Sequence, residues 1–349
     1  MVASRFTMTF LVCLFATQAL AQSPGNTNNL PVLPQGMALT SIPNVLRYPP
    51  LPAWFDPVTA SAADVDKYGL PSRPSSTDVH YARWLAVARA HRVTGMFKAM
   101  PMHSHMQGFA SGVVGQVKSF NWSGIVAFPS PDPTVWSYPS SAGTITAEWT
   151  VPIAAPPSNV PCNGTEYATV IWPGIDGFLR SNGLLQGGSA SLYQCNNGTP
   201  ITEYLAWMEL YPATPVVAAY TVNPGDNMVT TVSAYGNGGR VSVTDLTTNT
   251  NVSVLMTGAQ MIGNSAEMII ERPEQANGTL YQLGNYGSVL VSDISAYTLG
   301  GSPITMSGAT IVTMFANNGT TPISYVVSKS GNPLQVLMQD ENCAVSGGC

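Results

Sequence analysis

The chain reads as an all-β protein, a sandwich or barrel behind a partly helical N-terminal segment, and three observations carry that reading. After Gly108, short runs rich in Val, Thr, Ile, Tyr and Ser alternate with Gly, Asn and Pro clusters as far as Leu337, the texture of many strands joined by turns. Several of these runs alternate between aliphatic residues and residues of another kind, the two-residue period of a strand with one face in a core. The stretch before them is different, Pro-rich and irregular over residues 22–60 and then helical in pattern.

Taken in order, the first residues read as an export signal. Arg5 supplies a positive start, Met8 to Leu20 is an apolar run short for a membrane span, and Ala19-Leu20-Ala21 gives a small-x-small cleavage pattern. The sequence therefore predicts a signal peptide over 1–21 and a secreted, extracellular protein with no membrane span. Residues 76–99 carry the helical pattern, with Ser76 and Thr77 able to cap it. Tyr81, Trp84, Leu85, Val87 and Ala88 form its apolar stripe, beside Arg83, Arg89 and Arg92. The composition change places a boundary near residue 118, giving a basic segment over 22–118 and a β-domain over 119–349. About 230 residues is ample for one sandwich with a sizeable core.

Cysteine usage fits export. Cys13 leaves with the signal, and Cys162, Cys195, Cys343 and Cys349 remain, an even number in an oxidising compartment. Tyr167–Trp172 and Gly183–Tyr193 look like strands joined by the turn-rich stretch Pro173–Asn182. Folding that hairpin brings position 162 near 193, so Cys162–Cys195 is the expected bridge, and Cys343–Cys349 would close a C-terminal loop. Neither pair has zinc-site spacing. Six glycosylation sequons (Asn121, Asn163, Asn197, Asn251, Asn277 and Asn318) suit an exported surface.

Charge is unevenly divided. Residues 22–118 hold 8 Lys/Arg and 4 Asp/Glu, a balance of +4; residues 119–349 hold 4 and 14, a balance of −10. The two parts are electrostatically complementary, and so few cations in the main domain argue against nucleic acid as a partner. All four histidines (His80, His91, His103 and His105) precede residue 119. A Ser-His-Asp or Cys-His triad, or a histidine zinc site, could be built in the β-domain only by borrowing from the N-terminal segment. His103 and His105 among Met100, Met102 and Met106 read as an exposed loop rather than a soft-metal site. No metal and no cofactor is expected.

Three strands divide their faces in the same way. Ala206, Met208 and Leu210 alternate with Trp207, Glu209 and Tyr211; Met268 and Ile270 alternate with Glu267, Ile269 and Glu271; Trp172, Gly174 and Asp176 repeat the idea. Aliphatic faces turned inward would leave an aromatic and carboxylate face outside, lining one groove.

Those segments resemble the glutamic peptidases, the eqolisin family. The resemblance runs through Phe120-Asn121-Trp122-Ser123-Gly124, Ala147-Glu148-Trp149-Thr150-Val151-Pro152 and Trp172-Pro173-Gly174-Ile175-Asp176-Gly177. It continues in Leu184-Leu185-Gln186-Gly187-Gly188, in residues 204–212 around Trp207 and Glu209, and in residues 265–271 ending at Glu271. Leu283-Gly284-Asn285-Tyr286-Gly287-Ser288-Val289 resembles the family's late strand. The resemblance implies a concanavalin A-like antiparallel β-sandwich of two bent seven-stranded sheets, with substrate across the concave face. It places the catalytic residues at Gln186 and Glu271 and makes Trp172, Asp176, Trp207, Glu209, Tyr211 and Glu267 candidates for substrate binding. The chain departs from the family at Ala190, where an aspartate is common, and at Met208 and Leu210, where Tyr and Trp are common.

The chemistry is sound on its own terms. An ionised Glu271 can take a proton from water attacking a scissile carbonyl, and the Gln186 amide can donate to the oxyanion. A carboxylate with a reference pKa of about 4.3 remains a usable base in acid. The expected protein is a monomeric, pepstatin-insensitive acid endopeptidase acting on polypeptides, with its own N-terminal segment as inhibitor. Cleavage of that segment is expected between Met106 and Ser119. Two other readings stay open: a jelly-roll glycoside hydrolase using Glu209 and Glu271, and a secreted carbohydrate-binding module without catalysis.

Overall fold

The computed structural model describes residues 36–341 apart from 96, 101, 107–108, 111–115, 130–138, 163, 179–182 and 219. The expected signal peptide and the Cys343–Cys349 pair lie outside the described residues, as does much of the expected cleavage region. Two short helices precede the sheets, α1 (Ala62–Lys67) and α2 (Tyr81–Arg89). The main strands are β1 (Trp122–Ala127), β2 (Ala142–Thr150), β3 (Glu166–Asp176), β4 (Leu184–Asn196), β5 (Thr199–Tyr211), β6 (Asn227–Tyr235) and β7 (Gly238–Asp245). They continue with β8 (Thr250–Thr257), β9 (Ala266–Glu271), β10 (Ser288–Thr298), β11 (Thr310–Phe315), β12 (Pro322–Ser330) and β13 (Leu334–Asp340).

One layer runs β5-β4-β3-β9-β1-β11, every neighbour antiparallel. The other runs β8-β7-β6-β2-β10-β13-β12, again antiparallel throughout. The expected antiparallel sandwich is therefore present. Its layers are also hydrogen-bonded to each other along one edge, where β11 pairs with β12.

The core lies between the layers, where Ile125, Ile171, Met208 and Ile270 of the first meet Ile145, Trp149, Val232 and Val241 of the second. Fully burying a side chain of this size stabilises by about 1.5–3 kcal/mol. Alternation then sends Trp122, Val170, Trp172, Trp207 and Ile269 to the opposite face of the first layer. The division of faces read from the sequence holds. What differs is exposure: this second face is buried too, because Met100 and Met102 of the N-terminal segment pack into it.

The segment adheres to the sandwich through backbone pairing at several points. Val45–Arg47 pairs with β8, and Lys98–Ala99 pairs with Val216–Val217, which extends the first layer beyond β5. Met102–His103 pairs with Glu274–Gln275 just after β9. Gln116–Ser119 runs parallel to β11 and straddles the expected boundary at 118/119.

The helix expected over 76–99 is confined to residues 81–89. Before it, Asp78 holds a turn, accepting from His80 N at 2.8 Å with its side chain and from Tyr81 N with its carbonyl. After it, His91–Arg92 pairs in parallel with Thr250–Asn251, so an available sheet edge overrides the helical pattern. The unexpected α1 is set by its cap: Ser61 Oγ accepts from Asp64 N at 3.0 Å. Trp84 and Ala88 of α2 join Val65 and Leu70 in a small separate core.

The Cys162–Cys195 bridge is present, with Cα atoms 5.2 Å apart, where the β3–β4 hairpin pairs Glu166 with Gln194. Two sequons do not belong to the surface. Asn121 and Asn251 are buried, Asn251 donating to Ser242 and Thr244, whereas Asn197, Asn277 and Asn318 are exposed. Among the described residues no helix is long and apolar enough to cross a membrane.

Candidate active site

Strand register brings the candidate residues together. On β4, Gln186 lies opposite Gly174 of β3 and Glu209 of β5. On β9, Glu271 lies opposite Val170 of β3 and Trp122 of β1. Gln186 and Glu271 therefore flank β3 on either side, with the Trp172 indole between them on the same face. The close approach is permitted by Gly188, where a Cβ would fall 1.9 Å from the Ile171 carbonyl oxygen. Gly174 likewise leaves room for the Trp172 ring, which a Cβ would meet at 2.7 Å.

The polar contacts converge on one serine of the N-terminal segment. Ser104 Oγ lies 3.1 Å from Gln186 Oε1 and also contacts Glu271 Oε2. The Ser104 carbonyl accepts from Gln186 Nε2, and Ser104 N donates to Glu209 Oε2 at 3.1 Å. Gln186 Nε2 also donates to Glu209 Oε2 at 2.8 Å, which fixes the orientation of the amide. Glu271 accepts from Trp172 Nε1 and from Asn121 Nδ2, both at 2.9 Å. Asn121 Nδ2 reaches the His105 carbonyl at 2.7 Å as well.

The flanking groups complete the cluster. His103 Nδ1 lies 3.1 Å from Glu209 Oε1, and His105 pairs with Glu274 at 3.5 Å while stacking on Tyr211 with ring centroids 4.5 Å apart. Trp122 meets Trp172 edge-on at 4.9 Å. Trp207 is buried beside Met100 and Met102.

Burial dominates the electrostatics. It pushes Glu271 well above the ordinary carboxyl range, with hydrogen bonds from Ser104 and Trp172 acting against it. Burial likewise lifts Glu209 to about 7, opposed chiefly by His103. The Glu209 hydrogen bond raises His103, whereas burial lowers His105. One hydroxyl hydrogen serves one acceptor. Ser104 Oγ therefore donates either to Gln186 Oε1 or to Glu271 Oε2 at any moment.

Of the residues singled out in the sequence, Gln186, Glu271 and Glu209 meet at Ser104, with Trp172 bonded to Glu271 and Trp207 and Tyr211 alongside. Asp176 and Glu267 stand apart. Asp176 has φ 70° and accepts from the backbone N–H groups of Ile262, Gly263 and Asn264 at 2.7, 3.0 and 2.8 Å, so it holds the loop entering β9. Glu267 lies four residues before Glu271, roughly 13 Å along the strand. Its carboxyl is buried near Asp176, burial lifts its pKa far above the ordinary value, and both oxygens lack a hydrogen-bond partner in good geometry.

Sequence reasoning missed Asn121, Ser104, His103 and His105. Asn121 stood inside a recognised segment, but its amide was read as a sequon. The His–Ser–His run was read as a loop, since nothing local ties it to strands more than eighty residues later.

The Peptidase A4 family model matches residues 120–336. The chain belongs to the Peptidase A4 family. The match begins at Phe120, so the segment carrying Ser104 lies before it. Among solved structures, scytalido-glutamic peptidase with a transition state analog inhibitor is similar at 24% identity, over 63% of this chain and 98% of that one, with a TM-score of 0.51. Aspergilloglutamic peptidase from Aspergillus niger is 27% identical over 50% of this chain and 99% of that one, with a TM-score of 0.43. The first of these likenesses is one of fold. No curated protein sequence matches the chain.

Proposed function

We propose that the chain is a secreted acid endopeptidase in which Glu271 activates water and the Gln186 amide stabilises the oxyanion. The observation that carries this reading is the meeting of both side chains at one point, with an amide N–H on a peptide carbonyl and a carboxyl beside an oxygen nucleophile's position. Glu271, once ionised, takes a proton from water as the oxygen attacks the carbonyl carbon. Gln186 Nε2 donates to the oxygen that gains charge, and Glu271 then delivers the proton to the leaving nitrogen. Glu209 holds the amide in place from behind, a support that does not need the aspartate absent at Ala190.

In this reading residues 22–118 are an inhibitory propeptide. Its +4 faces the −10 of the rest, which favours association at neutral pH. Family membership, the burial of both catalytic side chains beneath Ser104 and the charge split support the assignment. Asp176 serves the loop entering β9 and Glu267 is buried near it, so this reading assigns substrate contact to neither.

The test is digestion at acid pH of a denatured protein and, separately, of a β-glucan and a xylan. Peptide hydrolysis without glycan hydrolysis is expected; glycan hydrolysis alone would select the Glu209–Glu271 glycosidase, and neither would select a binding module. Serine-directed reagents, chelators and pepstatin should leave peptide hydrolysis unchanged. Pepstatin mimics a transition state held between two aspartates, so strong inhibition by it would overturn the Gln–Glu mechanism.

A further inference from the structure

The contacts of Ser104 are those of a substrate with one atom in the wrong place. Its carbonyl oxygen accepts from Gln186 Nε2, the donor assigned to the oxyanion. Its hydroxyl touches Gln186 Oε1 and Glu271 Oε2, the two acceptors that would hold the attacking water. The carbonyl of the next residue, His105, is held by Asn121 Nδ2 at 2.7 Å, so both carbonyls around the Ser104–His105 bond are fixed. On the other side, Glu209 accepts from Ser104 N at 3.1 Å. Upstream, Met102 and Met100 are buried in the aromatic floor with Trp172 and Trp207. A groove of about 540 Å³ continues from them between Tyr167, Tyr193 and Tyr281.

We propose that Met100 and residues 102–105 lie in the substrate groove as a self-arrested substrate, in which the Ser104 hydroxyl takes the place of the hydrolytic water at the Ser104–His105 bond. This rests on the peptidase reading above. The hydroxyl cannot replace water as nucleophile, because attack on its own carbonyl carbon would close a four-membered ring. It excludes water while leaving the carbonyl polarised, so the bond is bound and not cut. The same contacts define what the groove accepts in a true substrate: long, unbranched apolar side chains two and four residues before the scissile residue, where Met102 and Met100 now sit.

Replacing Ser104 by glycine removes both the hydroxyl and its Cβ and opens that volume to water. In the Ser104→Gly chain, water oxygen bonds to the carbonyl carbon of residue 104 and its proton passes to Glu271. The bond to the His105 nitrogen then breaks, and that nitrogen takes the proton. The experiment acidifies the full-length wild type, the Ser104→Gly chain and the Ser104→Gly/Glu271→Gln chain, and reads new N-termini by mass spectrometry. Digestion of a denatured protein is followed in parallel. The Ser104→Gly chain should acquire His105 as N-terminus at least roughly 10²-fold faster than wild type, the lower bound of what a positioned general base contributes. The double variant should not. An intact 104–105 bond in Ser104→Gly protein that digests added substrate would overturn the arrest and spare the peptidase reading. Equal cleavage in wild type, or cleavage in the double variant, would also overturn it. If no chain digests any peptide, both readings fall.

Discussion

In the proposed mechanism Glu271 takes and then gives a proton while Gln186 donates to the oxyanion, and one substitution tests each role. Glu271→Gln keeps the size and shape of the side chain and one of its two accepting contacts, with Trp172 or with Asn121, but replaces the proposed base by an amide. Peptide turnover in the processed enzyme should fall at least about 10²-fold with an unchanged circular dichroism spectrum; a smaller loss would show that another group takes the proton. Gln186→Ala removes the donor that now holds the Ser104 carbonyl. Loss of one oxyanion donor typically costs 10²–10³-fold in kcat. Unchanged turnover in that variant would mean that the oxyanion is held elsewhere, and would return attention to the Glu209–Glu271 pair. Steady-state kinetics on one peptide substrate decides both cases.

Elements explain why some of this was legible in advance and some was not. The alternation in β5 and β9 fixed which face each side chain takes, since a strand offers only two, and both faces are populated as read. Cys162–Cys195 followed from one hairpin for the same reason. The covering segment could not be read. Its hold depends on short pairings such as Lys98–Ala99 with Val216–Val217 and Met102–His103 with Glu274–Gln275, which leave no period in the sequence. The helix over 76–99 was overestimated because the edge of β8 competes for His91 and Arg92. The double glycine after Gln186 has a physical reason that the sequence alone did not show. A side chain at 188 would collide with the backbone of β3 at Ile171, which cannot retreat without breaking the pairing that positions Gln186. Gly188→Ala should therefore destabilise the fold by about 1–3 kcal/mol or more, as overpacking does, and lower activity through loss of register. A melting temperature equal to that of wild type would refute the close approach.

At the scale of the whole molecule, buried carboxyls set the response to pH. Glu267 is held far above its ordinary 4.5 by burial, so the folded chain binds a proton that the unfolded chain releases. Stability from this group is complete below the ordinary value and is lost as pH rises from there through the folded value, at about 1.4 kcal/mol for each tenfold displacement of the proton equilibrium. The melting temperature should fall as pH rises above the ordinary carboxyl value, and Glu267→Gln should flatten that fall; an identical slope in the variant would show that Glu267 is ionised in the fold. The same linkage governs the covering segment. Burial raises Glu271 and Glu209 in the covered arrangement, while the hydrogen bonds from Ser104 lower both, so acid favours covering at those two groups only through burial. His105 acts the other way, since burial lowers it and its protonation favours release. Exposed carboxylates also favour release when protonated, because the attraction between +4 and −10 weakens, although salt screens that term. With signs opposed in this way, the proposed release is expected to need a cut in the peptide chain as well as acid. Full-length protein should be inactive near neutral pH and lose roughly its first hundred residues after acidification, with wild-type cleavage falling between Met106 and Ser119. Mass spectrometry of Glu271→Gln treated in the same way should find the chain intact, whereas loss in both would mean an outside protease. An intact wild-type chain already active in acid would show that residues 22–118 belong to the working enzyme, and the propeptide assignment would be wrong.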